Sequence, residues 1–206
     1  MIDQSELRAR VERILRNTPG VTGADYFGSM VTGRTDDLSD IDLIVRCDPP
    51  VAEAVIGALH SDLSVALYLP FPDREPSGRY WFLTTQPFLR LDVSFHDALD
   101  YQEALLGKRR FVSPPFVAIS LDGSAPNPPE VERAPLFTDT DRAFGDALLA
   151  LQEAIKRAIR GGEQGPVDAC RTTLDGYVTG DLAPGLVDLY RRSVGRLGHS
   201  PGKRRI

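Results

Sequence analysis

Three aspartates lie on two segments whose other residues are typical of buried β-strands. The first segment, "DIDLIVRC", carries Asp40 and Asp42, and the second, "FLRLDVSF", carries Asp92. Side chains alternate between the two faces of a strand, so Asp40 and Asp42 project to one face while Ile41 and Leu43 project to the other. The sequence therefore predicts strands with one apolar face and one acidic face.

Paired carboxylates of this kind are suited to binding divalent metal ions. Two aspartates on one face, roughly 7 Å apart at their Cα atoms, repel each other unless a cation lies between them. Mg²⁺ prefers carboxylate oxygens together with water and phosphate oxygens. Asp92 lies on the polar face of its own segment with Arg90 and His96, so Asp40, Asp42 and Asp92 could together hold two Mg²⁺ ions. Such a pair of ions is the recurrent device for in-line displacement at phosphorus.

A glycine-serine turn precedes the first pair of aspartates. The backbone at Gly28 can approach a triphosphate closely, and the hydroxyl of Ser29 can bind it. Asp40 taken alone has another interpretation, because "SD" before an apolar run is also a common helix N-cap pattern. Trp81, Tyr80 and Phe82 could stack on a nucleotide base, although aromatic residues in a strand more often belong to the core.

The elements that must position these residues fall into two parts. Hydrophobic spacing predicts a helix over 5–16 with Ser5 as its cap, and a helix over 51–60. Strands are predicted at "VTGADYF", "DIDLIVRC", "LSVALYLPF", "RYWFLTT" and "FLRLDVSF". These segments indicate a mixed α and β domain over 1–123.

Prolines mark the boundary of this domain. Residues 124–136 include four prolines within "SAPNPPEVERAP", which indicates a linker. Helical spacing then resumes from Thr138 or Asp139 to a stop at Gly161, and two shorter helices are predicted over 166–178 and 184–197. Residues 137–206 are therefore predicted to form a helical hairpin or small bundle.

The composition limits the classes of partner. The formal net charge of −5 disfavours nucleic acid as the main partner. Cys47 and Cys170 are far apart and lack CxxC spacing, which argues against a zinc site or a disulfide scaffold. Because no run of 18 apolar residues and no signal-like N-terminus is present, we expect a cytoplasmic protein that does not span a membrane. The sequence is compatible with a homodimer and does not determine the oligomeric state.

The stretch "GSMVTGRTDDLSDIDL" resembles the signature of the DNA polymerase β-type nucleotidyltransferase superfamily. That signature is a Gly-Ser followed, after a glycine-containing loop, by Ser-Asp-x-Asp, with a third aspartate on a later strand. The resemblance extends over residues 20–96 and rests on Gly28, Ser29, Gly33, Ser39, Asp40, Asp42 and Asp92. It implies an α+β nucleotidyltransferase fold, with a mixed β-sheet flanked by helices, followed by a C-terminal helical bundle.

The resemblance also implies roles for individual residues. Asp40 and Asp42 would ligate Mg²⁺, and Asp92 would complete the metal site. Gly28 and Ser29 would hold the terminal phosphates of a nucleoside triphosphate, and Ser39 of the same signature is assigned to the nucleotide site.

The sequence departs from the family pattern directly after the serine. Relatives often carry a basic or polar residue where this chain has Met30 and Val31, which leaves the triphosphate short of one cation. Arg34, Lys108 and Arg109 are candidate substitutes.

The layout of a small catalytic domain and a helical bundle resembles bacterial enzymes that modify aminoglycoside or lincosamide antibiotics. The resemblance implies transfer of a nucleoside monophosphate, most simply AMP from ATP, to a hydroxyl of a small molecule. Glu103 or Asp92 would deprotonate that hydroxyl, and Lys156 would contact the triphosphate from the helical part.

Two alternative functions stay open. The chain could transfer a nucleotide to a protein or RNA partner, as toxin-antitoxin nucleotidyltransferases do. It could also be a nucleotide-binding module without turnover, although the presence of all three aspartates argues against that.

Overall fold

The protein is described here by a computed structural model. The chain divides into two compact units, Met1–Thr84 with Leu89–Pro135, and Thr85–Phe88 with Leu136–Ile206. The structure describes residues 3–32, 36–70, 78–98, 101, 117–119, 121, 137–178, 182–183 and 185–196. The predicted linker, 124–136, lies outside these residues.

The first unit is an α+β structure built on a mixed sheet. Its elements are α1 (Gln4–Asn17), β1 (Gly23–Phe27), α2 (Ser29–Thr32), β2 (Ile41–Arg46), α3 (Pro49–Asp62), β3 (Val65–Pro70), β4 (Arg79–Thr84), β5 (Arg90–His96) and β6 (Val117–Ala118). The six strands are ordered β3-β4-β5-β2-β1-β6. Strands β2 and β5 pair in parallel at the centre, and the other neighbouring pairs are antiparallel. The α+β class predicted from the sequence is confirmed.

One face of the sheet is buried in the main hydrophobic core. Ile41 and Leu43 of β2 and Leu91 and Val93 of β5 are inaccessible to solvent and belong to one cluster with residues of α1 and α3. Burying such a side chain contributes about 1.5–3 kcal/mol relative to leaving it exposed. The predicted alternation of apolar and polar residues along both strands is therefore confirmed.

Several predicted boundaries differ from the observed ones by one to three residues, and two of them, at α1 and β2, bear on the argument. Helix α1 begins earlier than predicted, because Asp3 rather than Ser5 is its N-cap and accepts a hydrogen bond from the Glu6 amide at 2.8 Å. Strand β2 begins at Ile41, so Asp40 directly precedes the strand instead of lying within it. The side chain of Asp40 is thus placed by the turn before β2 as well as by the strand itself.

The regular elements described in the second unit are all helices. Its helices are α4 (Asp139–Ile159), α5 (Gly165–Tyr177) and α6 (Leu186–Gly195), and α4 packs against both others. The sequence places Phe144, Leu148, Leu151, Ile155 and Ile159 at helical spacing on α4. The first four are buried, whereas Ile159 at the end of the helix is 39% exposed. Gly161 follows the C-cap Arg160 and has a φ of 97°, which explains why the helix stops there.

The start of α4 is held by one buried carboxylate. Of the two predicted caps, Thr138 is the N-cap, and its side chain and that of Asp141 form a reciprocal capping box. Asp141 Oδ1 also accepts the amide of Ala183 at 2.6 Å, which ties the chain before α6 to the start of α4. Burial acts to raise the pKa of Asp141, but the hydrogen bonds from Ala183 and Thr138 outweigh it and hold the pKa below its ordinary value of 3.8.

We predict that Asp141→Asn destabilises the protein at pH 7 by about 1 kcal/mol. A carboxylate whose folded pKa is lowered stabilises the fold above its ordinary pKa, and this contribution is lost as the pH falls through the folded pKa. The difference between wild type and variant should therefore shrink as the pH falls below 4. Urea denaturation from pH 7 to pH 3 measures it, with the exposed Asp139→Asn as the matched control. A pH-independent difference would contradict the assigned role.

Candidate functional site

Asp42 and Asp92 lie side by side at the centre of the sheet. The parallel register pairs Ile41 with Leu91 and Asp42 with Asp92. Neighbouring strands are about 4.8 Å apart, and paired residues of a parallel ladder project to the same face, here the face opposite the core. Asp42 is half-buried, and Asp92 is only 4% exposed. Two of the three predicted metal ligands are thus brought together by backbone hydrogen bonding alone.

Trp81 continues this row on the next strand. It pairs with Asp92 in the antiparallel register of β4 and β5, and its indole Nε1–H donates a hydrogen bond to Asp92 Oδ2 at 3.2 Å. This bond satisfies part of the hydrogen-bonding capacity of a buried carboxylate. Trp81 is therefore in direct contact with a predicted site residue. It is the single tryptophan of the chain.

Asp40 forms an ion pair with Arg90, a residue that was not predicted to belong to the site. Arg90 Nη2 donates to Asp40 Oδ2 in a short ion pair, and the two side chains are only 11% and 19% exposed. The guanidinium carbon of Arg90 also lies 5.9 Å from the ring centre of Trp81. One signal was available in the sequence: Arg90 precedes Asp92 by two positions, as Asp40 precedes Asp42.

Gly28 lies directly against the Asp42 carboxylate. It follows β1, whose last residue, Phe27, pairs with Asp42. Its φ of 75° lies in the left-handed region that favours glycine. A Cβ at this position would lie 3.0 Å from Asp42 Cγ and would overlap the carboxylate oxygen Oδ2. The glycine of the predicted phosphate-binding turn is therefore also required for space beside a predicted metal ligand.

The two predicted serines differ in their surroundings. Ser29 begins the single turn α2, and its carbonyl accepts a hydrogen bond from Thr32 Oγ1 at 3.1 Å. The Ser39 hydroxyl is buried in the turn before β2, where it donates to Asp36 Oδ1 at 2.8 Å and accepts from the Asp36 amide at 3.0 Å. Ser39 therefore shapes the turn that delivers Asp40, and its nucleotide contact stays a prediction.

The departure at Met30 and Val31 has a partial explanation. Val31 is partly buried and packs against the main core of the first unit, so its side chain holds the turn against that core. The candidate base Glu103 and the candidate cations Arg34, Lys108 and Arg109 lie outside the described residues, as does Gly33 of the signature.

Lys156 lies on α4 in the second unit. It is 3% exposed, and its Nζ is 3.3 Å from Glu153 Oε1 on the same helix. A buried ammonium group needs such compensation, because removing a charge from water is costly. The prediction that Lys156 contacts a triphosphate stays a prediction.

Asp42 and Asp92 are the two carboxylates that could bind a divalent cation. In the part of the chain that the structure describes, no group of three or more His, Cys, Asp or Glu side chains is arranged to hold a metal ion. The Asp40 carboxylate is instead paired with Arg90, while Asp42 and Asp92 share one row. One or two carboxylates together with substrate phosphates are a common ligand set for Mg²⁺. The site thus suits Mg²⁺ with a bound triphosphate better than Mg²⁺ alone.

A separate cleft of about 190 Å³ lies at the other end of β2 and β5. Among the residues that line it are Cys47, Ile56, Tyr80, Phe95 and His96. Phe95 and Ile56 belong to the core face, and Cys47 and His96 lie at the ends of the strands far from Asp42 and Asp92. Burial, with a smaller contribution from the Asp48 carboxylate, raises the pKa of the Cys47 thiol to about 12. The thiol is therefore protonated at neutral pH and is a poor nucleophile.

We predict that Gly28→Ala destabilises the protein by about 1–3 kcal/mol, because the new Cβ is strained at positive φ and displaces the Asp42 carboxylate. Gly176→Ala is the matched control, since a Cβ added to this exposed glycine of α5 would meet no atom within 4 Å beyond its own helix backbone and chain neighbours. That change should be neutral or stabilise by up to about 1 kcal/mol. Chemical denaturation measures both variants. Equal stability of the two would contradict the close packing of Gly28 on Asp42.

Comparisons with known proteins add no assignment to this geometry. No protein-family model matches the chain, and no curated protein matches it significantly. Among the helices that the structure describes, none combines the length and apolar character needed to cross a bilayer.

Proposed function

We propose that the protein is a Mg²⁺-dependent nucleotidyltransferase that transfers a nucleoside monophosphate, most simply AMP from ATP, to a hydroxyl of a small molecule. The observation that carries this proposal is the register of β2 and β5, which puts Asp42 beside Asp92 with Gly28 packed against the first carboxylate. The Gly-Ser turn at Gly28 and Ser29 is thus adjacent in space to the acidic row, which we define as Asp42 and Asp92 with Asp40 directly before β2.

In the proposed reaction, the acceptor hydroxyl oxygen attacks the α-phosphorus of the triphosphate. A new oxygen-phosphorus bond forms, the bond from the α-phosphorus to the bridging oxygen breaks, and pyrophosphate leaves. The hydroxyl proton passes to a carboxylate, for which Asp92 and Glu103 are the candidates. Mg²⁺ held by Asp42 and Asp92, with Asp40, would neutralise charge on the triphosphate and activate the attacking oxygen.

The chain's own residues have defined tasks in this proposal. Trp81 orients Asp92 through the 3.2 Å hydrogen bond, so that one carboxylate oxygen is held by the protein. Gly28 brings the backbone of the turn against the Asp42 carboxylate, so the turn could hold a terminal phosphate beside a proposed metal ligand. Asp40 enters the site from the turn shaped by Ser39 and Asp36.

The activity predicts acceptor-dependent release of pyrophosphate. The protein should be incubated with Mg²⁺, each nucleoside triphosphate, and a panel of aminoglycosides, lincosamides and simpler polyols, and the acceptor analysed by mass spectrometry. Asp42→Asn should reduce the rate at least about a hundredfold, because it removes a metal ligand. Asp62→Asn, which removes a surface partner of Arg13, should leave the rate unchanged.

Two outcomes would contradict the proposal. Absence of pyrophosphate release with every triphosphate, acceptor and divalent metal would contradict nucleotidyl transfer to these small molecules. A nucleotide mass found instead on a co-expressed protein or RNA would replace the small-molecule acceptor by a macromolecular one.

A further inference from the structure

Arg90 occupies an unusual position beside the acidic row. It is the first residue of β5, it is only 9% exposed as a whole residue, and its guanidinium makes the short ion pair with Asp40 Oδ2. The guanidinium carbon also lies 5.9 Å from the ring centre of Trp81. The start of β5 therefore holds a positive charge beside the Asp40 carboxylate.

The backbone determines this pairing. Because β2 and β5 are parallel and pair residue 41 with 91 and residue 42 with 92, the residue before Ile41 lies next to the residue before Leu91. Arg90 and Asp40 are thus neighbours for the same reason that Asp92 and Asp42 are. The arginine cannot leave the vicinity of the site without loss of the strand register, although its long side chain can rotate.

The charges beside Arg90 favour a further cation. The Arg90 guanidinium is paired with Asp40, while Asp42 and Asp92 are neighbours in the register of β2 and β5, and like charges on neighbouring strands are destabilising. A divalent cation would carry twice the charge of the guanidinium and could be shared by Asp42 and Asp92 at once. It would also compete with Arg90 for Asp40 Oδ2, since one oxygen cannot favourably hold both, and the two cations repel each other.

We propose that Arg90 is a built-in counter-ion that holds Asp40 in the metal-free protein and is displaced from it when a divalent cation binds. This inference rests on the proposed function, because it takes the acidic row to be a metal site. Arg90 is a positioning residue, because it acts through Asp40. Its pairing stabilises the metal-free fold and weakens metal binding, so that binding is favoured when a triphosphate supplies further ligands.

Trp81 provides a readout that is independent of turnover. The indole donates to Asp92 and lies beside Arg90, and no other tryptophan contributes to the fluorescence. Cation binding to Asp92 and rotation of Arg90 would both change the surroundings of the indole. Mn²⁺ alone should therefore change the fluorescence of the wild-type protein, and this change should be lost in Asp42→Asn.

The test compares Arg90→Gln with Arg46→Gln. Both variants remove one positive charge, but Arg46 bonds to Thr22 at the far end of β2 rather than to an aspartate of the acidic row. Mn²⁺ binding is measured by the electron paramagnetic resonance of free Mn²⁺, first alone and then with a non-hydrolysable ATP analogue. We expect Arg90→Gln to tighten Mn²⁺ binding at least about fivefold, in the range of ordinary coupling between sites, and Arg46→Gln to change it less than about twofold.

Thermal unfolding without metal gives the second half of the test. Arg90→Gln should lower the midpoint by roughly 2–4 °C relative to wild type, and Mn²⁺ should recover more stability in this variant than in the wild type. If Arg90→Gln does not fold, Arg90→Lys serves instead. Lysine keeps the charge but lacks the planar fork of donors, so Arg90→Lys should bind Mn²⁺ more tightly than the wild type.

The two proposals fail in different ways. Absence of Mn²⁺ binding in every variant, with and without the ATP analogue, would overturn the metal site and the counter-ion role together. Mn²⁺ binding that requires Asp42 but is unchanged or weakened by the Arg90 substitutions would leave the metal site standing and overturn the counter-ion role.

Discussion

The parallel pairing of β2 with β5 is the constraint on which the candidate site depends. It aligns Asp42 with Asp92. It also places Asp40 beside Arg90, because these residues directly precede the first aligned pair, Ile41 and Leu91. A slip of one residue would turn the buried side chains of one strand toward the polar face and its aspartates into the core. Burying unpaired carboxylates there would cost several kcal/mol. The hydrophobic core on one face therefore maintains the geometry of the charged cluster on the other.

The same pairing creates an electrostatic cost at the centre of the sheet. Adjacent aspartates on neighbouring strands repel each other. Trp81 donates to Asp92, and Arg90 neutralises Asp40, and each contact offsets part of that repulsion. A fold optimised for stability alone would not need acids at this position. Local departures of this kind are expected at functional sites, and a divalent cation with a triphosphate is the partner that we propose for this one.

Much of this arrangement could be predicted from the sequence because it is local. Alternation along β5 separated Leu91 and Val93 from Asp92, and the capping pattern at Thr138 located the start of α4. The order of the strands is not local. The ion pair of Arg90 with Asp40 joins residues 50 positions apart, and it depends on which strand lies beside β2. The position of Asp40 before the strand and the use of the Ser39 hydroxyl by Asp36 likewise depend on turn geometry, which residue types alone did not determine.

We propose that Asp42 and Asp92 share one divalent cation in the presence of a triphosphate. Anomalous diffraction at the manganese edge tests this in crystals grown with Mn²⁺ and a non-hydrolysable ATP analogue. We expect a peak within coordination distance of a carboxylate oxygen of each aspartate, with Arg90 turned away from Asp40. Crystals that contain the analogue but show no peak between these carboxylates, with Arg90 still bound to Asp40, would contradict a shared cation.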